Sequence, residues 1–158
     1  MKNFLKSIPF TPQKYKEMQI KVTKLEAEKI LVMQRLVDAR AMGDLSENGA
    51  YKYAKFEMGN LNRQLKRFKN LLEKGFPAPK NTGPKGLIDF GTTIVLKKTD
   101  QELTKTFMIV SEHESDPSNF KLAYSSPMGK AVMRKKVGDK ISFDTPKGKS
   151  EWLILEIK

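Results

Sequence analysis

Two runs of apolar residues, spaced alternately three and four apart and separated by one six-residue polar interruption, constrain this 158-residue chain more than any other feature. The first run comprises Tyr15, Met18, Val22, Leu25, Val32, Leu36 and Ala39, with Lys29 occupying one position of the seam. The second comprises Tyr51, Ala54, Met58, Leu61, Leu65, Phe68 and Leu72, without a break. That rhythm puts one apolar stripe on each of two helices, as in a coiled coil. The interruption, Gly43-Asp44-Leu45-Ser46-Glu47-Asn48, is short enough that the stripes must pack against each other antiparallel. Thr11 is placed to cap the first helix with Pro12 at its first position, and the second helix should close near Gly75, ahead of Pro77 and Pro79. A helix from Pro12 to Met42 would be roughly 46 Å long, at about 1.5 Å per residue. A rod of that length exceeds what a small compact domain needs and suits a chain that must reach something.

From about Phe76 the composition changes to Pro-Ala-Pro-Lys-Asn-Thr-Gly-Pro-Lys-Gly, which can neither continue a helix nor form a central strand. The expected organisation is therefore a coiled-coil domain over 1–75, a linker over 76–86 and a second domain over 87–158. Short strand-like runs follow the linker: Ile88 and Phe90 with 92–96, then 107–110, 120–124, 141–143 and 152–157. Thr145-Pro146-Lys147-Gly148 reads as a hairpin turn, with Pro at its second position. Ser126-Pro127 reads as the cap and first residue of a short helix running through Met133. Five strands and one short helix make the fold class α+β, a helical hairpin followed by a small antiparallel sheet.

Composition narrows the chemistry. There is no cysteine, so disulfides and thiolate metal sites are excluded, and the single His113 cannot build a histidine cluster. His113, between Glu112 and Glu114, reads as a solvated residue at a strand end. No stretch approaches a membrane span, and Met1 to Pro9 lacks the long apolar core and small-residue cleavage site of a secretory signal, so a cytoplasmic protein without a membrane partner is expected. The net charge of +12 points to a polyanionic partner: nucleic acid, an acidic protein surface or an anionic membrane. Between Tyr51 and Lys74 seven basic residues face two acidic ones, giving that helix +5. The bland account is a solvated coiled-coil face. Tyr51, Lys52, Tyr53 and Lys55 favour RNA, because rings that can stack on bases and amines that can meet phosphates stand together beside the acidic interruption.

Asp44 and Glu47 admit two accounts. Asp44-Leu45-Ser46-Glu47 has the spacing of a capping box, in which Asp44 would accept amides at the start of the second helix and Glu47 would reach back. Alternatively, carboxylates at the end of a long rod could hold a hard cation such as Mg²⁺ through oxygen ligands. Two carboxylates do not complete an octahedral shell, so such a metal would be shared with a partner, weakly held by this protein alone.

The run Ala39-Arg40-Ala41-Met42-Gly43-Asp44-Leu45-Ser46-Glu47-Asn48, followed by Tyr51, strongly resembles the tip motif of the bacterial Gre transcript-cleavage factors. Ser126-Pro127-Met128-Gly129-Lys130-Ala131, Lys136-Val137-Gly138-Asp139, Thr145-Pro146-Lys147-Gly148 and Glu151-Trp152 follow in the order and spacing of that family's C-terminal domain. The resemblance spans about Thr11 to Ile157. It implies an FKBP-like second domain that docks at the rim of the RNA polymerase secondary channel, while the coiled coil enters the channel. Asp44 and Glu47 would then help the polymerase hold a second Mg²⁺ and hydrolyse backtracked nascent RNA near its 3′ end. The protein would be a monomer that stimulates chemistry belonging to the polymerase, not an enzyme itself. By the same resemblance Ser46 and Asn48 would shape the tip, Tyr51, Lys52 and Lys55 would contact RNA, and Asp116, Ser126, Pro127 and Met128 would lie in the docking surface.

Tyr51-x-Tyr53-x-Lys55 with its basic helix looks more like the GreB branch than the GreA branch. Gly49-Ala50 stands where members commonly have alanine followed by an acid, and the region Gly83 to Gly86 is unusual. Some relatives on this scaffold occupy the channel and inhibit instead of stimulating cleavage; the presence of both Asp44 and Glu47 favours cleavage. An independent prolyl isomerase is suggested only by the expected fold of the second domain, and fold alone does not carry function.

Overall fold

Thr11 and Pro12 start the first helix as their chemistry demands. In the computed structural model, which describes residues 6–44, 47–79 and 86–158, α1 spans Pro12–Ala41 and the Lys14 amide donates to Thr11 Oγ1 at 3.3 Å. Its buried residues are Met18, Leu25, Val32 and Ala39, one every seven positions along the seam. Helix α2 spans Gly49–Lys74 and buries Ala54, Met58, Leu61 and Leu65. Leu25 and Val32 pack with Met58, Leu61 and Leu65, and Val22 and Phe68 close over that cluster. Ion pairs between the helices, Glu26 with Lys69 at 2.5 Å and Arg35 with Glu57 at 3.0 Å, flank the seam and fit the antiparallel register. Lys29 is half-buried at its seam position, as a lysine can be when its apolar stem covers hydrophobic surface and its amine reaches water. No helix of the described residues is long and apolar enough to cross a membrane.

The chain forms two compact units, one containing Tyr15–Gly75 and the other Ile8–Lys14 with Phe76–Lys158. Ile8–Lys14 joins the second unit because strand β1 (Ile8–Phe10) pairs with β2 (Gly75–Pro77) and the Ala78 amide donates to the Phe10 carbonyl at 2.8 Å. The expectation that the segment from Phe76 is only linker is thus corrected at its start. A two-stranded ribbon places proline at its end, where no amide is needed. Residues 80–85 of the expected linker lie outside the described residues.

The second unit is built on five strands: β3 (Thr93–Lys98), β4 (Thr104–Val110), β5 (Lys121–Ala123), β6 (Lys140–Thr145) and β7 (Gly148–Ile157), in the spatial order β5-β4-β3-β7-β6. Four of them pair antiparallel; β5 runs parallel to β4, with Ile109 opposite Leu122. The sheet is therefore mixed where an antiparallel one was expected. The ten residues from Ser111 to Phe120 supply a connection that a tight hairpin could not. Helix α3 (Pro127–Val132) covers the sheet, and Ile88, Ile94, Leu96, Ile109, Val132, Ile141, Trp152 and Ile154 form the core. Ile88 and Phe90, expected as strand, are buried loop residues that fill this core and the smaller cluster with Ala78 and Val110.

Candidate functional site

At the hairpin turn, α1 ends at Ala41, the Met42 amide donates to the Ala39 carbonyl at 3.2 Å, and Gly43 takes φ +109°, a conformation that side-chain-bearing residues avoid. Asn48 then caps α2. Its Oδ1 accepts the Tyr51 amide at 3.0 Å, and its Nδ2 donates to the Ala39 carbonyl at 2.7 Å. One side chain thereby starts the second helix and ties it to the first, at a carbonyl that also accepts the Met42 amide. This corrects the capping-box account: the cap is Asn48, not Asp44, and its amide offers an acceptor to α2 and a donor to α1 together, which a carboxylate cannot. Asp44 and Glu47 precede the helix and are exposed. Ser46 lies outside the described residues.

Tyr51, in the first turn of α2, is half-buried, with the Arg40 guanidinium carbon 5.7 Å from its ring centroid. A hydrogen bond from Arg40, together with the charges of Arg40 and Lys55, holds the Tyr51 phenol below its usual range. Lys52, Tyr53 and Lys55 are exposed on the same first turns. Next to them Arg35, Asp38, Met42, Ala50 and Tyr53 line a shallow cavity of about 300 Å³. Acids, cations and rings therefore share one end of the hairpin. Among the described residues no group of three or more His, Cys, Asp or Glu comes together. The donor set at the tip, two exposed carboxylates, fits a cation that takes its remaining ligands elsewhere.

In the other unit, Asp116 and Ser126 frame the edge strand β5. Asp116 pairs antiparallel with Lys121, exchanging amide and carbonyl at 2.9 and 3.1 Å. Its carboxylate accepts the Ser118 amide at 3.1 Å and the Asn119 side-chain amide at 2.8 Å, capping a 3-10 turn at Pro117–Asn119. The Asn119 side chain foremost, with the backbone amides and Lys121, holds the Asp116 carboxyl below its ordinary value. Ser126 caps α3 through the Gly129 amide at 3.0 Å and donates its hydroxyl to the Ala123 carbonyl at 2.7 Å. The exposed polar edge of β5 is thus occupied at both ends. Pro127 is exposed, whereas Met128 packs partly into the core. A neighbouring carboxylate, Glu114, is buried, accepting the Thr11 amide at 3.0 Å, the Thr11 hydroxyl at 2.5 Å and Lys121 Nζ at 3.3 Å. It is structural, fixing the residue that opens α1.

Both halves of the chain match family models: residues 8–74 match the model described as transcription elongation factor, N-terminal, and residues 83–158 the model described as transcription elongation factor, GreA/GreB, C-term. The chain belongs to the GreA/GreB family of transcription elongation factors. Its relatives include a protein of Thermosipho africanus named transcription elongation factor GreA, 34% identical over 154 residues, covering 96% of this chain and 97% of that one. A protein of the same name from Pelobacter propionicus is 32% identical over 153 residues, with 96% and 97% covered. The GreB leaning finds no support in these names. Among solved structures, the GreA factor homolog 1 of Thermus thermophilus is similar at 22% identity and a TM-score of 0.45, covering 96% of this chain and 99% of that one.

Arg40 entered the sequence reading only as part of the tip motif, Asn119 was not singled out, and Phe120, expected to open a strand over 120–124, lies outside β5. Arg40 could have been found as the last-turn cation facing Tyr51 across a short loop. Asn119 and the half-exposed Phe120, whose φ of +53° places it in the left-handed region, carry no pattern that a sequence alone displays.

Proposed function

We propose that this Gre-family factor binds RNA polymerase through the β5 edge of its second unit, inserts the hairpin into the secondary channel and stimulates the polymerase to cleave backtracked RNA. The observation carrying this reading is that Asn48 caps α2, so that Asp44 and Glu47 stand in solvent outside the helix, beside Lys52, Lys55 and Tyr51. In this reading both acids lend carboxylate oxygens to a Mg²⁺ that the polymerase also holds, and the metal supplies charge stabilisation for the attacking and leaving oxygens of phosphodiester hydrolysis. Lys52 and Lys55 meet phosphates of the extruded RNA, and Tyr51, with Arg40 on its ring, offers a face for a base. Asn48 holds the turn so that the acids are presented in one arrangement. The protein contributes ligands and positioning, and the reaction belongs to the polymerase.

The test is Mg²⁺-dependent shortening of 3′-end RNA in stalled, backtracked elongation complexes, with the wild type, Asp44→Asn and Glu47→Gln compared at matched occupancy. Cleavage by the wild type with loss of at least tenfold in both variants is expected. Binding without cleavage by all three proteins would overturn the proposal and leave a factor that acts by occupying the polymerase.

A further inference from the structure

The second unit carries a basic surface that neither the hairpin tip nor the β5 edge uses. Between Lys130 and Lys140 lie five cations, Lys130, Arg134, Lys135, Lys136 and Lys140, against one acid, Asp139, and all five cations are exposed. Solvated lysines are ordinary on a chain of this charge, but three features distinguish this turn.

Its backbone is fixed to the core. Arg134 sits at φ +62°, its amide donates to the Ile88 carbonyl at 2.9 Å, and the Ile88 amide donates to the Lys135 carbonyl at 2.9 Å, Ile88 itself being fully buried. The Gly138 amide donates to the Ile154 carbonyl at 2.9 Å, tying the other side of the turn to β7. A residue with a side chain persists at positive φ only where its surroundings over-determine it. The charges are also little compensated. Asp139 directs its carboxylate to the Lys136 amide at 2.9 Å, Arg134 reaches Asp89 only at 3.9 Å, and no ion pair to a described carboxylate engages the other four cations. Finally, no aromatic residue falls between Lys130 and Lys140, and the exposed apolar neighbour is Val137. Single strands are gripped by rings stacked on bases, whereas a duplex hides its base faces and presents phosphates.

We propose that the Arg134–Lys140 turn, with Lys130, is a contact site for the phosphate backbone of duplex DNA. Binding there is independent of base sequence, and each phosphate neutralised releases counterions, so the site is read by salt dependence. The test titrates the full-length protein into a labelled DNA duplex, and separately into single-stranded RNA, across a salt series. One variant carries Lys130→Gln, Lys135→Gln and Lys136→Gln, leaving Arg134 and its hydrogen bonds in place. A control carries Lys105→Gln, Lys147→Gln and Lys149→Gln, exposed residues elsewhere in the same unit, with the same change in net charge. Lys135→Gln alone serves as a second probe should the triple variant melt early.

The triple variant is expected to lower the salt slope of duplex binding by roughly two to three, at about 0.9 for each phosphate that is no longer neutralised, with the control close to wild type. Equal losses in variant and control would overturn the site, since only net charge would then matter. So would a loss confined to single-stranded RNA. No polymerase is present in this assay, so its failure leaves the proposed cleavage function untouched.

Discussion

Asn48 and Asp116 perform comparable work in different units: each is a side chain whose hydrogen bonds fix a turn that holds candidate functional groups. Removing the Asn48 amide in Asn48→Ala takes away the α2 cap and the bond to the Ala39 carbonyl, at about 1–2 kcal/mol of local stability. Amide exchange at Tyr51 and Lys52 should accelerate by roughly tenfold or more, as 1.4 kcal/mol implies, while exchange at Leu61 and Leu65 in mid-helix stays slow. Unchanged exchange at Tyr51 would show that the cap is dispensable. For Asp116, a folded-state pKa below the ordinary value means that its bonds favour folding above the unfolded carboxyl's pKa and that this contribution is lost as pH falls through the folded value. Asn119→Ala removes the largest cause of the depression, so the Asp116 carboxyl, followed by NMR titration, should move upward toward the usual range. A titration that does not move would assign the shift to the backbone amides instead. Asp44 and Glu47 were legible as a pair of acids in a turn, yet spacing alone could not decide which residue capped α2. Asn48, four residues past Asp44, takes the Tyr51 amide, whereas a cap at Asp44 would take the amide at position 47.

The hairpin was legible because a three-four rhythm over two helices leaves one arrangement that buries both stripes. The short strands β1 and β2 were not, since three residues carry no period and their pairing depends on chain segments more than sixty residues apart. The parallel placement of β5 was equally invisible, being set by the length of the connection and not by the strand's own pattern. Two elements give direct tests. A Cβ at Gly129 would overlap the Ala123 carbonyl oxygen and come within 2.8 Å of the Tyr124 Cα, so α3 packs on the β5 exit only through a glycine. Gly129→Ala should cost roughly 1–3 kcal/mol, seen as a lower melting temperature by Trp152 fluorescence. An unaltered melt would mean that the backbone shifts freely there. In the hairpin, Lys29 interrupts the seam beside a cavity of about 470 Å³ lined by Ile30, Met33 and Leu65. Lys29→Leu should stabilise the coiled coil by about 1 kcal/mol, raising the helical melting transition; a lower transition would show that the lysine stem already packs better than leucine.

For the whole molecule, the separation into two units assigns presentation of the acids to one and candidate docking to the other. Asp44 belongs to the hairpin turn, whereas Asp116 shapes the loop along β5, and the hydrogen bonds of Asp116 all lie within its own loop and strand. Substitutions without shared partners add in free energy. Asp116→Ala should therefore weaken polymerase binding by roughly tenfold, the loss of about 1.4 kcal/mol, while the cleavage rate at saturating factor stays near that of the wild type. Asp44→Asn should do the reverse, and the double variant should show both losses in full, neither enlarged nor masked. Titrating each variant into backtracked complexes and fitting the half-saturating concentration and the limiting rate separately provides the measurement. A double variant that loses less binding than Asp116→Ala alone would reveal coupling between tip and globule. The hairpin would then take part in docking as well as in presenting the acids, and the division of labour drawn from the two units would fail.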